Sequence, residues 1–206
     1  MNKSVLHDLS YGVYAVTTLD GERDCGCIAN STMQVTSSPA TVAVSINHDN
    51  FTNSCIEKSG VFAVNILPED IDRGIIGTFG FKSSRDTDKF EGLSTVRKEG
   101  VSVLSAAKSY IVCRVIDKLE TSTHTVFLGE VIDADSLNDG EVMTYSYYHK
   151  VIKGKAPKNA PTYVEESAPR KEWKCQICGY ESELSSLPED FTCPVCGVPK
   201  AMFEKI

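Results

Sequence analysis

The chain has 206 residues, of which 41% are hydrophobic and 24% charged, with a formal net charge of -7. These values describe a chain that builds an apolar core, exclude a disordered one, and leave room for a domain of about 150 residues with a small appendage. The acid excess argues against a nucleic-acid partner, since phosphate binding needs a concentrated Lys/Arg surface, and no stretch reaches the about 18 apolar residues of a membrane span. Met1-Asn2-Lys3-Ser4 leads into no apolar signal region, so a cytoplasmic protein with a small-molecule or protein partner is expected.

Residues 11–19 are rich in aromatic and β-branched types and read as a strand, with Asp20-Gly21 as a hairpin signal. A second strand is expected at about 25–35. Thr36-Ser37-Ser38-Pro39 interrupts it, and residues 41–46 alternate as a strand covered on one face does. Residues 50–58 read as a short helix, with Asn50 or Thr52 as N-cap and Gly60 as terminator, and residues 61–67 as another strand. Pro68, Glu69 and Asp70 together are helix-start chemistry, which predicts a helix over 68–79 with Ile71, Ile75 and Ile76 at helical spacing. Residues 82–89 form a polar loop in this reading. Strands over 101–105, 109–119 and 125–134 complete a mainly β, antiparallel domain that can close into a small barrel with a few short helices. Tyr145, Tyr147 and Tyr148 are read as core packing. Proline and lysine then dominate 153–170, an extended connector, and a domain boundary is expected between Tyr163 and Lys171.

Eight cysteines in a chain without secretion signals point to metal ligands or thiols rather than disulfides. Four of them form two pairs, Cys175-Gln176-Ile177-Cys178-Gly179 and Cys193-Pro194-Val195-Cys196-Gly197, with 14 residues between the pairs. A two-residue spacer lets both sulfurs of a pair reach one ion, and the glycine that follows takes the positive φ that turns the backbone over it. That turn aims amide N–H groups at the thiolates. Spacing alone accepts zinc or iron in such a tetrahedral site. The scattered Cys55 and Cys113 are read as core thiols, and Cys25 and Cys27 as neither ligands nor a disulfide. His7, His48 and His149 are read as isolated surface groups without a metal role.

With Trp173, Tyr180, Leu187-Pro188-Glu189-Asp190-Phe191-Thr192 and Val198-Pro199-Lys200, the tetracysteine segment resembles rubredoxin. Its interval between the pairs is about half that of a typical rubredoxin and is similar to the short rubredoxin-like domain of rubrerythrins. The resemblance implies one iron ion on Cys175, Cys178, Cys193 and Cys196, with zinc as the alternative. An iron centre of this kind moves one electron at a time, so a flavin is the natural converter beside it.

Residues 29–39, the strand through Asn47, Asn50-Phe51-Thr52-Asn53, Phe62 to Leu67, Asp88-Lys89-Phe90 and His124 to Val131 together resemble the flavin reductase family, which has an FMN-binding split barrel. By that resemblance Asn30, Ser31, Thr32, Thr36 and Ser37 line FMN and its ribityl phosphate, with Asn47, Asn50, Thr52 and Asn53 contributing from the next turn. His124 stands at the nicotinamide side, orienting it rather than abstracting a proton. Family members commonly carry Gly-Asp-His there; Ser122-Thr123-His124 keeps only the histidine. Lys82, Arg85 and Lys89 offer cations for the phosphate, with none singled out.

The two halves together resemble a high-molecular-weight rubredoxin type, a split barrel over 1–163 fused to a rubredoxin-like domain over 171–206. NADH, or less readily NADPH, is then expected to reduce FMN, which reduces the iron and through it a partner protein; the resemblance points to a flavodiiron protein. A homodimer is expected as well. Two rival readings are a flavin reductase that releases reduced flavin and docks by a zinc ribbon, and a non-catalytic FMN-binding protein.

Overall fold

The structure, a computed structural model, describes residues 2–152, 172–182, 184 and 186–206. The chain divides into two compact units, residues 1–163 and 164–206. The connector expected over 153–170 and the boundary expected between Tyr163 and Lys171 lie outside the described residues.

In the first unit seven strands make one sheet: β1 (Tyr14–Asp20), β2 (Arg23–Ala29), β3 (Thr32–Ser37), β4 (Ala40–Asn47), β5 (Val61–Ile66), β8 (Ser109–Glu120) and β9 (His124–Ser136). A separate hairpin joins β6 (Thr95–Lys98) to β7 (Val101–Leu104). The sheet runs β2-β1-β5-β8-β9-β4-β3, and the strands pair antiparallel. Asp20-Gly21 turns β1 into β2 as expected, with Gly21 at φ +64°.

The single strand expected over 25–35 is two strands. The chain bends at Asn30-Ser31, and β2 and β3 lie at opposite edges of the sheet. Three residue steps from Ala29 to Thr32 span at most about 11 Å. A flat sheet of seven strands would hold its edges about 29 Å apart. The sheet therefore curls until its edges meet, and a short polar link closes it into a barrel. The turn-prone pair Asn30-Ser31 is the one local signal of this break, too short by itself to interrupt an otherwise strand-like run, and the curling of the sheet decides it.

α1 (Phe51–Ser59) follows the expectation closely: the Asn50 side chain accepts from Thr52 N, and Gly60 ends the helix at φ +69°. α2 (Arg73–Phe81) begins five residues later than the predicted Pro68. Pro68 bridges to Val142 and Glu69 N donates to Glu141 O, so this stretch is drawn into a strand-like contact, and Asp72 caps Gly74 N instead. The β6 strand and α3 (Tyr145–Lys150), which carries buried Tyr148, were not foreseen in the sequence.

Three apolar clusters fill the unit, on either side of the sheet and under α2. Asn65 is a buried polar group whose hydrogen bonds are satisfied: its amide donates to Ala15 O and Thr17 Oγ1, and its carbonyl accepts from Leu104 N. It thereby locks β1, β5 and β7 together, since leaving any of those partners unpaired in the core would be costly.

The second unit is a three-stranded sheet, ordered β11 (Glu181–Ser182), β10 (Trp173–Cys175) and β12 (Phe203–Lys205). Its buried apolar groups are Cys175, Leu187, Cys193 and Phe203, flanked by Trp173, Tyr180, Phe191 and Val198. Among the described residues no helix is long and apolar enough to cross a membrane.

Candidate metal and flavin sites

The second unit brings its four cysteines together. Their sulfur atoms all lie within 4.8 Å of one another, with Cys175 Sγ to Cys196 Sγ at 3.7 Å and Cys178 Sγ to Cys193 Sγ at 3.6 Å. Metal–sulfur bonds of about 2.3 Å in a tetrahedron set the sulfurs about 3.8 Å apart, so these residues fit one four-coordinate ion. Each pair is built the same way. Gly179 N donates to Cys175 O and Gly197 N to Cys193 O, closing tight turns, and both glycines sit at positive φ, +75° and +74°.

The turns orient amides as the spacing predicted. Burial pushes the Cys175 thiol up, but the N–H groups of Cys178 and Ile177 together with the Cys178 and Cys196 thiols outweigh it and bring the group below its ordinary value. At Cys193 burial is likewise overcome by the Cys196 and Val195 N–H groups and the Cys178 and Cys196 thiols, which bring it down to about 7, while backbone N–H groups favour the Cys178 and Cys196 thiolates but their crowding by neighbouring sulfurs holds those two up. Thiolates are the form that binds a metal, so a backbone that favours them prepares the site. Cys175 and Cys193 are buried while Cys178 and Cys196 are exposed. Sulfur thus reaches the surface beside the exposed side chains of Ile177 and Val195.

In the first unit the predicted residues divide by position. The β2–β3 link is held to β4 by Ser45 N donating to Ser31 O, so Asn30, Ser31 and Thr32 lie toward the end of β4 that carries Asn47. Asn50, Thr52 and Asn53 follow on α1, and His124 pairs with Asn47 in the β4–β9 register. Thr36 and Ser37 pair with Thr41 and Ala40 at the other end of β4, seven residue steps or about 24 Å away along an extended strand.

Several of these side chains have structural work. Asn50 caps α1, Asn53 Nδ2 donates to Ile46 O at 2.9 Å, Asn47 Oδ1 accepts from Asp49 N at 2.8 Å, and Thr36 Oγ1 binds Thr41 Oγ1 at 2.6 Å. Thr32 Oγ1 is different: it is buried and has no hydrogen-bond partner among the described residues. Thr32 also opens β3, an edge strand with one side of its backbone unpaired by any strand. An orphaned hydroxyl beside free backbone groups fits a polar ligand at this link. Thr52 Oγ1, also buried without a nitrogen or oxygen partner, faces the Cys27 thiol.

His124 is half-buried, with Nδ1 2.8 Å from Thr123 Oγ1. Burial first, and then the charge of neighbouring His48, hold it below the ordinary histidine value of 6.5. A neutral imidazole with one nitrogen engaged is suited to orienting a polar ligand.

Three readings of single residues need correction. Lys89 is buried and engaged rather than offered to a phosphate: Nζ donates to Gly26 O at 2.8 Å and Phe79 O at 3.0 Å, and burial pushes its pKa down. With Ser84, whose hydroxyl donates to Gly26 O and accepts from Gly26 N, it straps the loop onto β2. His48 is no isolated group, for Nε2 lies 3.1 Å from Glu120 Oε2. Nor is His149, whose ring packs edge-on between Tyr145 and Tyr148 with Nε2 buried. Arg85 and Arg23 both stack on Phe51, at the first residue of α1, 5.3 and 5.9 Å from the ring centre. Cys25, Cys27, Cys55 and Cys113 are buried free thiols.

Comparison with known proteins agrees with this division. Residues 6–155 match the model of the flavin reductase like domain, and residues 173–204 that of the rubrerythrin, rubredoxin-like domain. A high molecular weight rubredoxin of Moorella thermoacetica is 37% identical, with 100% of both chains covered. A ferric-chelate reductase (NAD(P)H) of Archaeoglobus fulgidus is 39% identical over 80% of this chain and 99% of its own. Among solved structures, an NADH:FAD oxidoreductase of Streptomyces globisporus superposes with a TM-score of 0.62 at 27% identity, covering 68% of this chain and 84% of that one.

Proposed function

This chain belongs to the flavin reductase like family and joins to it a rubredoxin-like domain, and from that premise we propose that it carries electrons from NAD(P)H through FMN to iron and on to a partner protein. It is an NAD(P)H-dependent oxidoreductase in this reading, with the flavin domain over 1–163 and the iron domain over 171–206. The observation that carries the proposal is the four-sulfur cluster of metal-binding dimensions on the same chain as a flavin reductase barrel. When bound, a flavin accepts a hydride and gives up electrons singly, and an iron on four thiolates takes and returns one electron.

The residues do the rest. Cys175, Cys178, Cys193 and Cys196 hold the iron, and the amides aimed at Cys175 and Cys193 favour its more reduced charge state. Cys178 and Cys196 put sulfur at the surface, where a partner's redox group can approach. Asn30, Ser31 and Thr32 bind the flavin from the β2–β3 link, with Thr32 Oγ1 using its free hydrogen-bonding capacity. Asn47 and Asn50 border it from the β4–α1 turn; Thr52 and Asn53 support that turn from inside α1. Thr36 and Ser37 meet only the far end of a ligand extended along β3. His124 orients the nicotinamide from the other side of the turn, a task of alignment that hydride transfer needs more than a general base.

NADH is the donor in this proposal and a flavodiiron protein the acceptor. The active form is a homodimer: Met33, Val126, Leu128 and Leu119 share one face of the sheet across β3, β9 and β8, and Met33 and Leu119 are exposed there, an apolar surface that suits a second copy. Stopped-flow mixing with NADH tests the relay. Flavin absorption should bleach before or together with ferric–thiolate absorption. Iron that stays oxidised beside reduced flavin would end the relay, and stoichiometric zinc in place of iron would favour a reductase that releases its flavin.

A further inference from the structure

The turn end of the β8–β9 hairpin carries contacts beyond the ladder that already joins the two strands from Ser109 opposite Ser136 to Glu120 opposite Thr125. The turn is closed by Thr121, whose N–H donates to His124 O at 2.9 Å and whose hydroxyl donates to the same oxygen at 2.7 Å. That hydroxyl also accepts from His124 N at 3.1 Å. These bonds set the backbone of His124 within its own hairpin. The β4–β9 ladder sets the strands side by side as far as Asn47 opposite His124 and ends there, short of His48 and Thr123 in the two turns.

Beyond that end one carboxylate ties the side chains of the two turns together. Glu120 Oε2 is 3.1 Å from His48 Nε2 on the β4–α1 turn and accepts from Thr125 Oγ1 at 3.0 Å. Its Oε1 is 3.2 Å from Lys118 Nζ, and Lys118 also pairs with Glu57 on α1. The stitch is completed by His48 N donating to Thr123 O at 2.9 Å. The charged and titratable groups at this junction are thus Glu57 from α1, His48 and Asp49 from the turn, and Lys118 and Glu120 from β8, and of these His48 acts on His124. The side chains of Glu120, His48 and Lys118 are largely exposed, and ion pairs of that kind contribute little to overall stability. Their effect is local, on the placement of two turns.

We propose that Glu120 is a positioning residue: by gathering His48, Thr125 and Lys118 it holds the β8–β9 turn against the β4–α1 turn, and so aims the His124 imidazole. This rests on the reading that His124 meets the nicotinamide.

The test is a double-mutant cycle on the full flavin- and iron-loaded chain, with Glu120→Ala, Glu120→Gln, His124→Ala and Glu120→Ala/His124→Ala. Glu120→Ala should raise KM for NADH on the order of tenfold, the scale of coupling between contacting residues. The saturating rate, the bound flavin and the melting midpoint should stay near wild type. Glu120→Gln, which keeps shape and one acceptor, should recover part of the loss. In the His124→Ala background the Glu120 change should add nothing. If His124→Ala raises KM and Glu120→Ala does not, or if the two effects simply multiply, the positioning role is overturned. If His124→Ala itself leaves KM unchanged, it is the reading of His124 that fails.

Discussion

The barrel unit wraps a seven-stranded sheet around three apolar clusters, whereas the C-terminal unit has, among its described residues, four buried apolar ones, two of them cysteines, arranged about a point where four sulfurs converge. The first has a core large enough to stand without its cofactor. The second is too small to do so by apolar burial alone. Binding is therefore added to a finished fold in one unit and is part of folding in the other, and the two should respond differently to the same insult.

Metal removal should separate them most widely. Structural four-ligand sites contribute about 10–16 kcal/mol of apparent binding free energy, which becomes folding free energy when no core survives without the ion. Trp173, the chain's one tryptophan, borders the small core and reports on it. Its emission should shift to the red in Cys193→Ser or after chelation, while the far-ultraviolet β signal of the barrel persists. An unshifted tryptophan in metal-free protein would break the comparison.

A packing insult to the barrel should do the reverse. A Cβ on Gly129 would lie 2.6 Å from Cys113 Cβ and 2.9 Å from the Phe62 ring, closer than packed atoms approach. Gly129→Val should destabilise the barrel by about 3 kcal/mol and lower its melting midpoint. The Trp173 transition should not move. A smaller effect is expected at the helix cap: Asn50→Ala should cost about 1 kcal/mol and weaken flavin retention, measured by fluorescence titration, without changing metal content.

Acid should sharpen the contrast at the fine end. His124 is held below 6.5 in the folded chain, so the unfolded chain takes up that proton first as pH falls. Its contribution is complete above about 6.5 and fades as pH drops through the lower folded value. His124→Gln should flatten that shallow slope in denaturant midpoints measured between pH 7 and 5. Metal release from four thiolates should be the steeper acid transition.

The metal centre was legible because its ligands are local: two short spacers, each ended by a glycine that takes positive φ, put all four sulfurs and their amide donors in place. The N-cap of α1 was legible for the same reason, as Asn50 acts on Thr52 N two residues away. The split of residues 25–35 into β2 and β3, the late start of α2 and the burial of Lys89 were not. Each depends on a partner distant in the chain: the sheet closure that meets at Asn30-Ser31, Val142 and Glu141 drawing Pro68 and Glu69 aside, and the Gly26 carbonyl that takes the lysine.

Composition, cysteine spacing and cap chemistry thus determined a mainly β unit with a tetrahedral sulfur site behind it, since each is fixed by groups within a few residues of one another. Tertiary structure alone decided which polar residues share one end of β4, where Thr32 is left unpartnered among the described residues, how Glu120 meets His48, and that His124 lies opposite Asn47. Strand register and barrel closure bring these segments together from across the sequence, and neither is written in any one of them.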